Sequence, residues 1–308
     1  MNISKKLLSA VFCASILGLS LNASHKITTR WEDGSGSSSV LKSSLNLKPV
    51  SDWADFNEKN MLPECYISHR NDSGFTDGAE LQRKIDHLAA QVQRGEKEYE
   101  DFEILCKKDF DPKSGSGVLV AKCKNDPFVV KLFTETPKTF GQSKGMIDYF
   151  RFVMTGMTRH LSGLSRIKNR DDVQQCINSS YWRNVIDLPC KWFVLPKGNR
   201  DIKITKGSKE STVPGTYGVV AQYINSTRPS SVSNKDRLVM DFCNAIGHKL
   251  DANKENFLTE KHTEKVVCVD TEDFSSTVGA EPKNFSGDFA WRTHLVGSCL
   301  KKFLGFGS

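Results

Sequence analysis

Leu81, Ile85, Leu88 and Val92 recur every three to four residues behind Asp77 and Glu80. That spacing after a capping signal predicts an amphipathic helix running to about residue 98. From residue 101 the apolar period falls to two. Residues 102–106 and 118–123 read as strands around a turn at 109–117. A tight turn at Asn125 and Asp126 leads to a third strand over 127–133, completing an antiparallel meander. Met146, Phe150, Val153, Met157 and Leu161 predict a helix over 143–161, and another is expected over 171–182. Strands over 191–195 and 217–224 follow, with the polar stretch 197–215 between them as a loop or hairpin. Arg228 begins a linker. Leu238, Phe242, Ala245 and Ile246 predict a helix over 235–249, Val266 to Val269 a strand, and Trp291, Leu295 and Phe303 a last helix near 288–304. The chain has no internal repeat.

The N-terminus has a different pattern. Lys5 and Lys6 precede an uncharged apolar run over 7–21, and Ala23 supplies a small residue for a cut at Ala23-Ser24. This is the layout of a secretory signal over residues 1–23, which places the mature protein in a secreted or periplasmic setting. An uncleaved anchor is the competing reading, against which the run is short for a span. No later segment has the length or purity of a membrane span. Residues 24–50, Ser/Gly-rich around 34–39, read as a flexible linker, and 51–100 as a helical extension.

Removal of the signal lowers the formal charge from +7 to +5, a dispersed and mild excess that does not call for nucleic acid. The mature chain keeps eight cysteines, an even number that permits disulfides after export. Cys106, Cys243 and Cys268 lie inside apolar runs, where a buried free thiol is an equal alternative. Cys-x-x-Cys and Cys/His ligand spacings are absent, which leaves a zinc site unsupported.

Candidate chemistry gathers in a few places. Gly115 and Gly117 occupy the first hairpin turn, where a missing Cβ lets backbone N–H groups approach phosphates, although such turns also occur without ligands. Lys131 stands among Phe128, Val129, Val130, Leu132 and Phe133. A lysine there faces a ligand cleft or an acid, or lies at a solvent-exposed edge. Asp148 and Glu135 are candidate acid partners. Asp251 is followed five residues later by Asn256, and Asp270 comes fourteen residues further on, at the end of an apolar run. The first carboxylate can orient or deprotonate a hydroxyl; the amide and second carboxylate can hold Mg²⁺ against phosphates. His248 reads as a satisfied core histidine, and Glu272 and Asp273 as spare carboxylates. The chain lacks a Gly-x-Ser-x-Gly elbow, a His-Glu-x-x-His pair and a Gly-x4-Gly-Lys-Ser/Thr loop, so hydrolase, metalloprotease and P-loop readings have no support.

In that order these segments resemble the protein-kinase-like superfamily over residues 101–275. Thr271 and Glu272 after Asp270, in place of Phe-Gly, are closer to its aminoglycoside- and lipid-kinase-like members. The resemblance implies an α+β, two-lobed fold with a five-stranded antiparallel N-lobe (101–226) and a short, mainly helical C-lobe (227–308). It implies ATP and Mg²⁺ as cofactors, with Gly115, Gly117 and Lys131 on the nucleotide, Asn256 and Asp270 on the metal, and Asp251 with Lys131 as the catalytic pair. The sequence departs from the family pattern in three ways. The 143–161 helix has no Glu, Lys249-Leu250 replaces the usual His-Arg before Asp251, and 38 residues after Asp270 are too few for peptide-docking helices. The implied function is an exported, atypical phosphotransferase acting on an unknown hydroxyl acceptor, protein or small molecule. A secreted bacterial effector acting on a host protein reconciles export with a supply of ATP. The alternatives are a non-catalytic, pseudokinase-like binding protein, and an unrelated exported α+β protein in which the spacing is accidental.

Overall fold

The computed structural model of the chain describes residues 26–35, 39–42, 60–140, 158–163, 165–179, 181–226, 235–273, 275 and 284–303. The signal-like segment, the linker at Arg228 and nearly all of the 143–161 helix, including Asp148, lie outside the described residues.

Strands β1 (Lys26–Trp31) and β2 (Ser39–Lys42) form within the stretch that composition marks as a linker. The Ile, Thr and Trp residues of β1 carry the β propensity that the surrounding Ser and Gly mask. A short antiparallel pair, β3 (Tyr66–Ser68) and β4 (Phe75–Asp77), ends on the expected cap. The Asp77 carboxylate accepts the Ala79 N–H at 2.9 Å and starts α1 (Gly78–Gln93). That helix stops short of residue 98 because Gly95 turns left-handed, at φ 74°, and its N–H closes on the Val92 carbonyl. The meander follows as β5 (Phe102–Asp111), β6 (Ser116–Cys123) and β7 (Phe128–Thr134). β5 outruns its predicted end through two register shifts, since a bulge absorbs extra residues without breaking the ladder.

Next come α2 (Arg159–Ser162), capped by Thr158, and α3 (Ser165–Asn178). β8 (Ile186–Asp187) and β9 (Lys191–Val194) precede a hairpin of β10 (Asp201–Lys206) and β11 (Lys209–Pro214), which fills the polar 197–215 stretch. β12 (Thr216–Gln222) leads to α4 (Lys235–Ala245), β13 (Phe257–Thr259), β14 (Val266–Cys268) and α5 (Asp288–Phe303).

The fold is mixed α/β with several antiparallel sheets. Five strands pair antiparallel in the order β5-β6-β7-β12-β9, and four in the order β11-β10-β1-β2. The C-terminal part adds a three-stranded sheet to its helices: β14 pairs antiparallel with β13 and parallel with β8.

Alternation divides the five-stranded sheet into two faces. Phe128, Val130 and Leu132 of β7, with Val194 and Val220, pack under Leu81, Ile85 and Leu88 of α1. Phe133, Phe193, Tyr217 and Val219 point the other way and meet Ile167 of α3. Lys131 and Lys191 fall on this second face by parity. A separate core joins α3, α4 and β14 around Phe242, Phe257 and Trp291. Arg70 ties the N-terminal segment to the three-stranded sheet through Asp187 (2.6 Å) and the fully buried Glu260 (2.8 Å). Burial raises the Glu260 carboxyl, but bonds from Arg70, Thr263 and Asn71 outweigh it and hold the group down to about 2.

No helix among the described residues is long and apolar enough to cross a membrane. No disulfide joins the seven described cysteines; Cys243 and Cys268 are buried thiols, whereas Cys106 is exposed.

His160 and His248 are core residues. His160 Nε2 donates to the Pro214 carbonyl at 2.6 Å. His248 Nε2 donates to Asn244 Oδ1 at 2.7 Å and its ring stacks on Trp291. Burial pushes both imidazoles down to about 4. Their folded values lie below the unfolded value, so the unfolded chain binds more protons between pH 4 and 6.5 and stability falls as pH drops through that window. Wild type is expected to lose on the order of 2–3 kcal/mol per histidine there. Urea unfolding of His160→Gln should show a flatter pH dependence; an unchanged slope would contradict the neutral, buried assignment.

Candidate functional site

Strand β7 carries Lys131 to the middle of the sheet face opposite α1. Strand β14 ends one residue before Val269, so Asp270 leaves the three-stranded sheet facing that lysine. Lys131 Nζ donates to Asp270 Oδ2 at 2.7 Å. The other carboxylate oxygen accepts Arg166 Nε at 3.0 Å, and the Glu272 N–H also reaches it at 3.2 Å. Arg166, in the first turn of α3, bonds Glu272 through Nη2 and Ser162 Oγ through Nη1, and lies over the Phe133 ring. Lys191, on the same sheet face, donates to the Val269 carbonyl (3.0 Å) and Thr271 Oγ1 (2.8 Å).

Three cations thus surround Asp270 and Glu272, and the electrostatics follow from burial. Burial alone would raise the Asp270 carboxyl; the charges of Arg166, Lys131 and Lys191 outweigh it and hold the group well below the usual carboxylate range. Lys191 is pushed down to about 7, first by burial and then by the neighbouring Lys131 and Arg166. Arg166 is held firmly charged by Asp270 and Glu272 in spite of its burial. Lys131 and Arg166 balance Asp270 and Glu272, and Lys191, close to neutrality, is the remaining titratable base of the cluster.

Asp251 and Asn256 lie on the loop that feeds β13. Asn256 Nδ2 is 3.4 Å from both the Asp251 backbone carbonyl and Oδ2, and the Asn253 N–H donates to Asp251 Oδ1 at 3.2 Å. The Val269 N–H donates to the Asn256 carbonyl at 2.8 Å, which fixes this loop beside Asp270. Burial pushes the Asp251 carboxyl up to about 6, the Asp270 charge adds to this, and the Asn253 N–H and Arg292 oppose it.

Of the sequence-predicted residues, Lys131, Asp251, Asn256 and Asp270 come together. Gly115 and Gly117 do take left-handed φ values, 59° and 114°. Their turn packs on the end of α1, where a Cβ on Gly115 would lie 3.2 Å from the Val92 carbonyl oxygen. Gly117 pairs with Thr134 and is three rungs from Val120, the register partner of Lys131, a separation of about 10 Å.

The donors Asp270, Asp251 and the Asn256 amide are hard oxygen ligands, which fit Mg²⁺ in type. Both Asp270 oxygens are engaged by cations, so metal binding there requires Lys131 or Arg166 to yield. Among the described residues no group of three or more His, Cys, Asp or Glu side chains is arranged to hold a metal.

No family model, curated protein or solved structure matches the chain.

Arg166 and Lys191 were not anticipated from sequence. Lys191 carries the same signal as Lys131, a lysine in an apolar strand that sheet parity turns to the same face. Arg166 gives none, because it shares the buried side of α3 with Asn169 as well as Ile167, Val173 and Ile177, and only tertiary contact reveals its role.

Proposed function

We propose that the chain is an exported, kinase-like phosphotransferase that uses ATP and Mg²⁺ to phosphorylate a hydroxyl acceptor. The observation that carries this reading is the 2.7 Å pair of Lys131 and Asp270, 139 residues apart in sequence. These are two positions that the kinase-like pattern singles out. Support also comes from the five-stranded order with Lys131 at its centre, and from the β13–β14 hairpin that separates Asn256 from Asp270. In this reading the five-stranded sheet is the N-lobe and the segment from α4 onward the C-lobe.

Bound Mg²⁺ would supply charge neutralisation for a transferring phosphoryl group. Asp270 and Asn256 would hold it, with Lys131 released from Asp270 to bind phosphate oxygens. Arg166 keeps Asp270 oriented and Glu272 neutralised while Lys131 moves. Asp251 orients the acceptor hydroxyl and takes its proton. The work of the protein is positioning and fixed charge.

Replacing Lys131 with methionine is expected to weaken ATP binding at least about tenfold. Isothermal titration measures it, and equal affinity in the variant would remove Lys131 from the site.

A second reading is a non-catalytic, pseudokinase-like binding protein. It is favoured by the engagement of both Asp270 oxygens, and by an arginine in the cluster where the pattern calls for an acid. It predicts no Mg²⁺-dependent affinity for nucleotide.

A further inference from the structure

A cavity of about 690 Å³ opens beside the Asp251 loop, formed by that loop, α4 and the start of α5. Ala252, Asn253 and Lys254, the residues that follow Asp251, line one wall. Arg292 of α5 also lines it, and its charge acts on Asp251. Asp251 also feels the charge of Asp270. Asp251 is itself no part of the lining and adjoins it through Ala252, the next residue in the chain; the cluster residues Lys131, Arg166 and Lys191 form no part of it either.

The walls differ in chemistry. Lys254 and Arg292 make the wall nearest Asp251 cationic. On α4, Arg237 and Asp241 face each other at 3.7 Å, leaving Asp236 as the remaining acid. Met240 and Phe285 give an apolar surface for a carbon skeleton. A concave space of this size suits a small molecule rather than an extended peptide, which needs an open groove or a sheet edge.

We propose that this cavity is the acceptor site and that the acceptor is a small hydroxyl compound bearing an anionic group. The proposal rests on the phosphotransferase reading. The anionic group lies against Lys254 and Arg292, the planar guanidinium being suited to a phosphate or carboxylate. The hydroxyl reaches Asp251. Its oxygen gains the bond to the terminal phosphorus of a nucleoside triphosphate, and its proton passes to the Asp251 carboxylate. The bond that breaks joins that phosphorus to the bridging oxygen, which leaves with the electron pair on the nucleoside diphosphate.

Glucose 6-phosphate, glucose and inorganic phosphate serve as probes in isothermal titrations of the full chain, its Gly287→Trp variant and its Lys254→Glu variant. Gly287 lines the cavity, and a Cβ placed on it meets nothing within 4 Å, so a tryptophan is introduced there to occupy the space. The sugar phosphate is expected to bind at least about tenfold more tightly than either glucose or phosphate. Gly287→Trp should abolish that binding, and Lys254→Glu should weaken it about three- to tenfold. Mg²⁺-ATP titration of the same three proteins tests the underlying reading separately and should give equal affinities. Nucleotide binding without a preference for the sugar phosphate, or a preference that survives Gly287→Trp, overturns the acceptor site. Equal binding of phosphate alone reduces it to an ion site and overturns the hydroxyl component. Failure of wild type to bind Mg²⁺-ATP overturns the acceptor role, whatever the sugar phosphate does.

Discussion

Asp251→Asn is expected to lower phosphoryl transfer by about a thousandfold and to leave Mg²⁺-ATP affinity within about threefold of wild type. The substitution keeps the shape of the side chain, and its single amide oxygen can still accept the Asn253 N–H, while the 3.4 Å contact from Asn256 Nδ2 to the other oxygen is lost and Asn256 keeps its contact with the residue 251 carbonyl. What it removes is the group able to accept a proton. Burial places the Asp251 carboxyl at about 6, so the group is ionised at pH 7 yet close enough to neutrality to exchange a proton with a hydroxyl. A pH–rate profile of wild type should accordingly show an acidic limb near that value. Single-turnover transfer with radiolabelled ATP reads the loss, and a variant as active as wild type would remove Asp251 from its role.

The second large effect concerns stability. Arg166→Leu leaves Glu272 and one oxygen of Asp270 without their buried cation. Breaking a buried ion pair by removing one partner costs about 3–5 kcal/mol, because the remaining charge stays desolvated. In a chain of this size that corresponds to a fall of roughly 5–15 °C in the thermal midpoint. Adding Glu272→Leu should recover part of the loss, since the carboxylate that Arg166 balanced is then gone. A cost below about 1 kcal/mol for Arg166→Leu would contradict the network as described.

How much of this was legible in the sequence depended on the range of the interactions. Asp77 and the 81/85/88/92 spacing specify α1 almost alone, because cap and apolar stripe are local. The meander is legible for the same reason: short turns at 112–115 and 124–127 join strands of clear alternation. The β1–β10 pairing is not, since residues 27 and 206 meet only through tertiary structure and the local composition of β1 and β2 reads as linker. α3 begins at Ser165 rather than near 171 because it buries Arg166 and Asn169, whose polar character conceals the buried face. At the site, Lys131 and Asp270 could be found by the strands that carry them, and Asp251 and Asn256 by their spacing. The partner of Lys131 could not: the sequence left Asp148, which lies outside the described residues, Glu135 or no acid at all, and the bond described is to Asp270. The reason is a swap of charge, with Arg166 supplying a cation where an acid was sought and Glu272, read as a spare carboxylate, balancing it.

We propose that Lys131, Asn256 and Asp270 form a Mg²⁺-nucleotide site. A thermal-shift titration with ATP, with and without Mg²⁺, on wild type and Asp270→Asn tests it most directly. A ligand that binds only the folded state raises the midpoint, by about 2.7 kcal/mol of stabilisation at a hundredfold excess over Kd. The account predicts a rise in wild type that requires Mg²⁺ and is lost in Asp270→Asn. No rise in wild type at millimolar ATP, or an equal rise in the variant, would contradict it.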